Sequence, residues 1–191
     1  MRRLALIVNP SAGGGRASRR LDAVRVALDA RGLDHHFALT TSLEDGAERA
    51  LAAAAGGETP VVMSGDGMVA HVGGVLAGSG TAMGIVPGGR GNDLARVLGI
   101  PKDPAGAVAV LAGGVEREID VGQANGKRFL GIASAGYDSD ANRIANDARL
   151  IKGRLVYFYA AIRAMIAWKH AAFEVVVDGE RCSFRGFSFA A

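Results

Sequence analysis

From its first residues the chain alternates short apolar runs with stretches of helical period. LALIV at 4–8 has no polar position, the texture of a strand buried on both faces of a parallel sheet. After the loop NPSAGGG, Leu21, Val24 and Leu28 recur at helical spacing, and Gly32 stands where such a helix would stop. A second strand is expected around 33–39. It leads to TTSLEDGAERALAAAA, where Ser42 and Asp45 have capping-box spacing ahead of an alanine-rich helix. PVVMS predicts a third strand, followed by a GDG loop and a helix from about 68 to 77. AMGIVP predicts a fourth, followed by GGRGND and a helix through Leu98. Strand–helix units in succession predict an α/β fold with a doubly wound, mostly parallel sheet.

The texture changes after Gly114. Asp103 and Pro104 form an N-cap with proline at the first helical position, opening AGAVAVLAGG. Beyond it, REIDVGQANGKRFLGIAS reads as a β-hairpin turning at Asn125 and Gly126. Residues 1–115 are therefore expected to form the α/β domain and 116–191 an antiparallel one. A helical stretch over about 139–169 precedes FEVVVDGERCSFRGFSFAA, a second hairpin turning at Asp178 and Gly179. Its last strand carries Phe184, Phe187, Phe189, Ala190 and Ala191 to the end of the chain. Such an edge would expose aromatics and unpaired backbone. The second domain is thus expected to be incomplete, and little turnover is expected from these 191 residues alone.

Composition narrows the class. With 49% hydrophobic residues in 191, the chain can bury a sizeable core. Its 28 glycines, about twice the average share, gather at the ends of apolar runs, where tight turns meet a ligand or backbone. The net charge is +3, with an early cluster of Arg2, Arg3, Arg16, Arg19, Arg20 and Arg25, which fits either a solvated face or a phosphorylated ligand. No aromatic interleaving and no basic motif support nucleic acid as a partner. The single Cys182 excludes an internal disulfide and a multi-cysteine metal site, and points to a reducing compartment. Asn9 and Pro10 interrupt the first apolar run too early for a signal peptide, so a cytoplasmic location is expected. LVYFYAAIRAMIAW at 155–168 contains Arg163 and falls short of the roughly 20 residues that span a bilayer. A core helix is favoured there over an interfacial one.

In open α/β sheets ligands bind at the carboxyl ends of the strands. Three loops emerge there: NPSAGGGR at 9–16, SGDG at 64–67 and GGRGND at 88–93. Glycine-built helix starts seat phosphates on free N–H groups, yet the patterns GxxxxGK[ST], GxGxxG and GxSxG all fail here. Two of the loops instead carry an acid, Asp66 and Asp93. A carboxylate beside a phosphate repels it by about 1 kcal/mol in water and several times that in a sheltered site. Either a cation intervenes or the acid handles a proton. Mg²⁺ takes one or two carboxylates plus phosphate oxygens, which suits Asp66 and Asp93 and makes ATP the expected phosphoryl donor. Singly, each acid reads as a turn or N-cap residue; together they point to a metal. His35 and His36 adjoin on a strand, face opposite sides and cannot share one.

VVMSGDG, GIVPGGRGNDLARVLGIP and REIDVGQANGKRFLGIASAGYD, in that order, resemble the diacylglycerol kinase catalytic domain family, which includes bacterial lipid kinases and sphingosine kinases. The resemblance implies a nucleotide-binding domain related to those of 6-phosphofructokinase and NAD kinase, then a β-sandwich domain, with lipid and ATP meeting between them. It implies nucleotide contacts at Asn9, Pro10, Gly65, Asp66 and Gly67, and a GxGND element at Gly89, Gly91, Asn92 and Asp93. Asp120 corresponds to an aspartate of the metal–water network. Ser11, Gly13, Arg16 and Arg90 complete the expected phosphate-holding set. Met68 and Arg90 stand where many members have threonine, so two hydroxyl contacts are lost, one of which the fixed charge of Arg90 replaces. Ala70 and His71 replace the usual Asn-Glu or His-Glu pair, and His71 is left outside the site. The late acidic base of bacterial members matches no position, which leaves Asp66 as the candidate catalytic residue. Asp138 and Asp140 read as helix-start acids and Trp168 as a packing residue. The expected activity is ATP- and Mg²⁺-dependent transfer of the γ-phosphoryl to a lipid hydroxyl such as that of diacylglycerol. Transient contact with a membrane surface accompanies it, and a homodimer is compatible with it. The rivals are an NAD or sugar kinase of the same superfamily and a non-catalytic nucleotide-binding module.

Overall fold

The computed structural model describes residues 3–136, 171–177 and 179–190. β1 (Leu4–Val8), β2 (His35–Leu39), β3 (Thr59–Ser64) and β4 (Gly84–Pro87) form a parallel sheet in the order β2-β1-β3-β4. The helices α1 (Ala12–Asp29), α2 (Leu43–Ala55), α3 (Asp66–Leu76), α4 (Asp93–Val97) and α5 (Pro104–Gly113) follow or connect the strands. All five residues of β1 are buried, as its central place requires.

Successive side chains of a strand point to opposite faces, so the sheet sorts its apolar residues into two cores. Leu6 and Val8 of β1 pack with Val61, Met63, the α1 residues Val24 and Leu28, and Val108 of α5. Ile7, Val62 and Ile85 pack with Ala50 of α2 and with Met68, Val69 and Val72 of α3.

Local signals set the helix ends. Ser42 Oγ accepts from the Asp45 N–H at 3.1 Å, but the Asp45 carboxylate reaches one residue further back than a capping box, to the Thr41 N–H at 2.8 Å. Asp103 Oδ1 accepts from the Gly106 N–H at 2.8 Å, Pro104 opens α5, and Gly114 closes it at φ +62°. α3 starts at Asp66, ahead of the expected 68, because Gly65 is in the β region (φ −94°, ψ 179°) and caps the helix directly after β3. At the head of α1, Gly13, Gly14 and Gly15 have φ of +61°, +70° and +79°. Only glycine takes that conformation without a penalty of about 1–2 kcal/mol per residue.

β5 (Gly122–Ala124) and β6 (Lys127–Phe129) form the expected hairpin, with Asn125 and Gly126 at φ +50° and +75° as a two-residue turn of this hand requires. The hairpin lies on α3. The Leu130 side chain covers Gly73, and Arg128 Nη1 donates to the carbonyls of Gly74 and Ala77, each at 3.0 Å. The chain divides into compact units Met1–Gly131 and Ile132–Ala191, so this hairpin packs as part of the first unit.

In the second unit β7 (Ser134–Gly136), β8 (Ala171–Val177), β9 (Glu180–Gly186) and β10 (Ser188–Ala190) pair antiparallel, β8 with β9 and β10 with β7. Phe173 stacks on Phe184 with centroids 5.3 Å apart. The expected single last strand breaks at Phe187; Ser188–Ala190 pairs with β7 on one side, while Phe184 and Phe187 are exposed as the sequence predicts. The helix expected over 139–169, with its run at 155–168, and Asp138, Asp140, Trp168 and Asp178 lie outside the described residues. Among the described residues no helix is long and apolar enough to cross a membrane.

Candidate functional site

The loops leaving β1, β3 and β4 meet at the carboxyl edge of the sheet, and glycine is what lets them meet. A Cβ on Gly13 would lie 2.6 Å from the Gly88 carbonyl oxygen, and a Cβ on Gly89 would overlap the Cα of Gly65. The Gly88 N–H donates to the Ser64 carbonyl at 2.8 Å, which carries the β3–β4 pairing into the loops.

Asp66, in the first turn of α3, turns its carboxylate toward the third loop. Oδ2 accepts from the Asn92 N–H at 2.8 Å and Oδ1 from the Asp93 N–H at 2.6 Å. Asn92 is left-handed (φ 56°, ψ 50°) and 7% exposed. Its Oδ1 accepts from the Gly89 N–H at 2.8 Å and its Nδ2 donates to the Gly89 carbonyl at 3.1 Å. The same carbonyl accepts from Arg16 Nη1 at 2.8 Å. Three segments distant in sequence, at Arg16, Asp66 and 89–93, are thus joined through Gly89 and Asn92. Hydrogen bonds with an ionised partner are roughly twice as strong as neutral ones, so both Asp66 and Arg16 are firmly held.

A carboxylate offers about four lone-pair sites, so Asp66 keeps acceptor capacity beyond its two N–H partners. The space that a Cβ on Gly91 would fill is bordered by Asp66 Oδ2 at 2.9 Å and Asp93 Oδ2 at 3.3 Å. The other Asp93 oxygen pairs with Arg96 Nη2 at 2.9 Å. Two carboxylates facing one gap, with oxygen donors only, fit Mg²⁺, which fills its remaining positions with water and phosphate oxygens. Asp120 is exposed. Among the described residues no three His, Cys, Asp or Glu side chains gather to hold a metal, so Asp120 does not form a trio with Asp66 and Asp93.

The other expected residues fall into two groups. Asn9, Pro10 and Ser11 fold their loop on itself. Asn9 Oδ1 accepts from the Ser11 N–H at 3.1 Å and from its hydroxyl at 2.8 Å, and the Pro10 carbonyl accepts from Ser18 Oγ at 3.0 Å. Gly67 and Arg90 are exposed. Met68, which brings no hydroxyl to the loops, is 2% exposed, belongs to the core under α3 and packs against Gly46 of α2. Because the helix starts at Asp66, the Met68 side chain lies in the core beneath α3.

Thr40 and Ser64 are sites the sequence reading missed. With Asn92 they are the buried polar side chains among the described residues, and all three stand at the carboxyl edge. Thr40 Oγ1 donates to the Val8 carbonyl at 3.3 Å. The available signal was a hydroxyl residue closing or following an apolar run. Close by, the Asp45 carboxyl is held below its ordinary value, first by the Thr41 N–H and then by Arg49, and that of Glu44 by its own N–H and by Ser42. A surface depression of about 530 Å³ on the β8–β9 hairpin is lined by Phe173 and Phe184. It contains no glycine turn and no helix start, and the loop convergence marks the site better than volume does.

Residues 3–124, which span all three loops and Asp120, match the diacylglycerol kinase catalytic domain. The chain belongs to that family. Residues 131–191 match the YegS C-terminal NAD kinase beta sandwich-like domain. A protein of Mycobacterium tuberculosis named diacylglycerol kinase is 35% identical over 185 residues, covering 93% of this chain and 60% of its own length. Its namesake in Bacillus subtilis is 29% identical over 185 residues, covering 94% and 61%. A crystal structure described as a diacylglycerol kinase from Bacillus anthracis superposes with a TM-score of 0.73 at 26% identity, over 99% of this chain and 63% of that one. The chain thus spans about three-fifths of the length of these family members. The parallel sheet and the antiparallel strands after it are the architecture expected of the family.

Proposed function

We propose that the three-loop edge binds the triphosphate of ATP with Mg²⁺, and that the chain belongs to a lipid kinase that transfers the γ-phosphoryl to a lipid hydroxyl such as that of diacylglycerol. The observation that carries this reading is the pair Asp66 and Asp93 bordering the gap at Gly91, inside a cluster of glycine turns in a kinase-family chain. Bound Mg²⁺ supplies neutralisation of the charge that builds on the phosphate oxygens. Asp66 and Asp93 would hold it. Arg16 gives one nitrogen to the Gly89 carbonyl and keeps further N–H donors for phosphate; exposed Arg90 adds a second cation. Asn9, Pro10, Ser11 and Gly13 shape the floor, while Gly65, Gly67, Gly89 and Gly91 let phosphate approach the main chain. Asp66 orients the acceptor hydroxyl as the catalytic residue of this chain. Catalysis of this kind is mostly positioning and charge stabilisation. Residues 1–115 serve the nucleotide and 116–191 begin the lipid-facing region, with transient docking of a cytoplasmic protein at the membrane surface.

The test is transfer of label from γ-labelled ATP to diacylglycerol in phospholipid vesicles, using a protein that carries these residues at the full length of its relatives. Labelled phosphatidic acid is expected, and is lost in Asp66→Ala. Transfer to NAD or a sugar phosphate with none to diacylglycerol would assign another substrate class. ATP binding without transfer to any acceptor would make the chain a non-catalytic module.

A further inference from the structure

We infer that Asn92 is a positioning residue: it touches no ligand with its side chain and sets the two charged poles of the site, Arg16 and Asp66, relative to each other. The inference rests on the reading of these loops as a nucleotide site. The Asn92 amide is engaged at both ends on Gly89, through Oδ1 to the N–H and through Nδ2 to the carbonyl, and the side chain is buried. A ligand could reach it only by breaking that ring.

The consequences run outward in two directions. Toward the cation, the Gly89 carbonyl accepts from Asn92 Nδ2 and Arg16 Nη1 together, which fills both of its lone pairs and aims the guanidinium at the loop. Toward the anion, the left-handed backbone of Asn92 presents its own N–H and that of Asp93 to the two oxygens of Asp66. Asparagine is one of the few side-chain-bearing residues that tolerate this backbone, and it offers donor and acceptor on one short arm. Aspartate would lose the donor to the Gly89 carbonyl, and serine is too short to close the ring at both ends.

The test begins without any ligand. The first N–H groups of a helix have no partner inside it, so protection of the Asp93 amide from hydrogen exchange reports its bond to Asp66. In Asn92→Gly, which accepts the same backbone and deletes both side-chain bonds, the Asp93 amide is expected to exchange about tenfold faster. The core amides of Ile7 and Val62 are expected to exchange as in the wild type. Should those core amides also lose protection, Asn92→Asp, which keeps the acceptor for the Gly89 N–H and removes the donor to its carbonyl, takes its place with the same expectation. A double-mutant cycle on MgADP affinity supplies the second readout. Asn92→Gly and Arg16→Gln are each expected to weaken binding about tenfold, and the double variant by clearly less than the roughly hundredfold product, because part of the Asn92 effect runs through Arg16. Wild-type protection of Asp93 in the Asn92 variant, or effects on affinity that multiply, would overturn the inference. Absence of nucleotide binding by the wild type would instead sink the proposed function, and the exchange experiment would still decide the role of Asn92.

Discussion

At the amino end of the parallel sheet the strand entrances are tied by pairs of side chains, whereas at the carboxyl end the exits are tied by carboxylates on main-chain N–H groups. Arg3, before β1, approaches Asp34 before β2 at 3.4 Å and Glu58 before β3 at 3.7 Å. His36 Nδ1 sits 3.7 Å from the same Glu58 and has no hydrogen-bond partner. Arg3, Asp34 and Glu58 thus answer one another across the strand entrances. At the other end Asp66 rests on the N–H groups of Asn92 and Asp93, and Asp45 on that of Thr41. A carboxylate held by backbone keeps its negative charge while fixing the chain around it. The carboxyl end thus adds carboxylates anchored on main-chain N–H groups to its own ion pairs, Arg49 with Asp45 and Arg96 with Asp93, and it is the edge at which we place a cation and a phosphate.

The comparison breaks most visibly at glycine. Gly89→Ala forces the third loop away from Gly65, and since a misplacement of about 1 Å can cost a hundredfold, MgATP affinity measured by titration calorimetry is expected to fall about that far. The thermal midpoint should change little. Next in size is the cap of α2. Ser42→Ala removes the bond from the Asp45 N–H and is expected to destabilise by about 1 kcal/mol in urea unfolding. Asp45 sharpens the same point through pH. Its folded value lies below the ordinary 3.8, so its contribution is complete above that value and disappears as pH falls through the lower folded one. Asp45→Asn should thus lower the melting temperature at neutral pH, with the gap to the wild type closing in acid. The smallest effect belongs to the amino end: Arg3→Gln is expected to cost less than about 1 kcal/mol, to cost still less in high salt, and to leave MgATP affinity unchanged.

What could be read beforehand follows the reach of each interaction. LALIV, the Asp103 and Pro104 helix start and the Asn125–Gly126 turn depend on residues adjacent in sequence, and each appears where expected. The meeting of the three loops was also legible, because strand order and glycine placement dictate it. The partners within that meeting were not. Asp66 is satisfied by backbone 26 and 27 residues away, and Arg16 by a carbonyl 73 residues away, and no local pattern encodes a main-chain acceptor or donor. The burial of Met68 was not legible either, because an early helix start changes which face each later residue presents. The docking of β6 on α3 was invisible for a similar reason: Gly73 and Gly74 become a saddle only once Arg128 and Leu130 arrive.

The most direct measurement is calorimetric titration of ATP in Mg²⁺ and in EDTA, with the wild type and with Asp66→Asn. Mg²⁺ is expected to tighten wild-type binding about tenfold or more, as a metal shared between carboxylates and phosphate must, and Asp66→Asn should remove most of that gain. Equal affinities in Mg²⁺ and EDTA, unchanged by Asp66→Asn, would contradict a metal-bridged nucleotide at this edge.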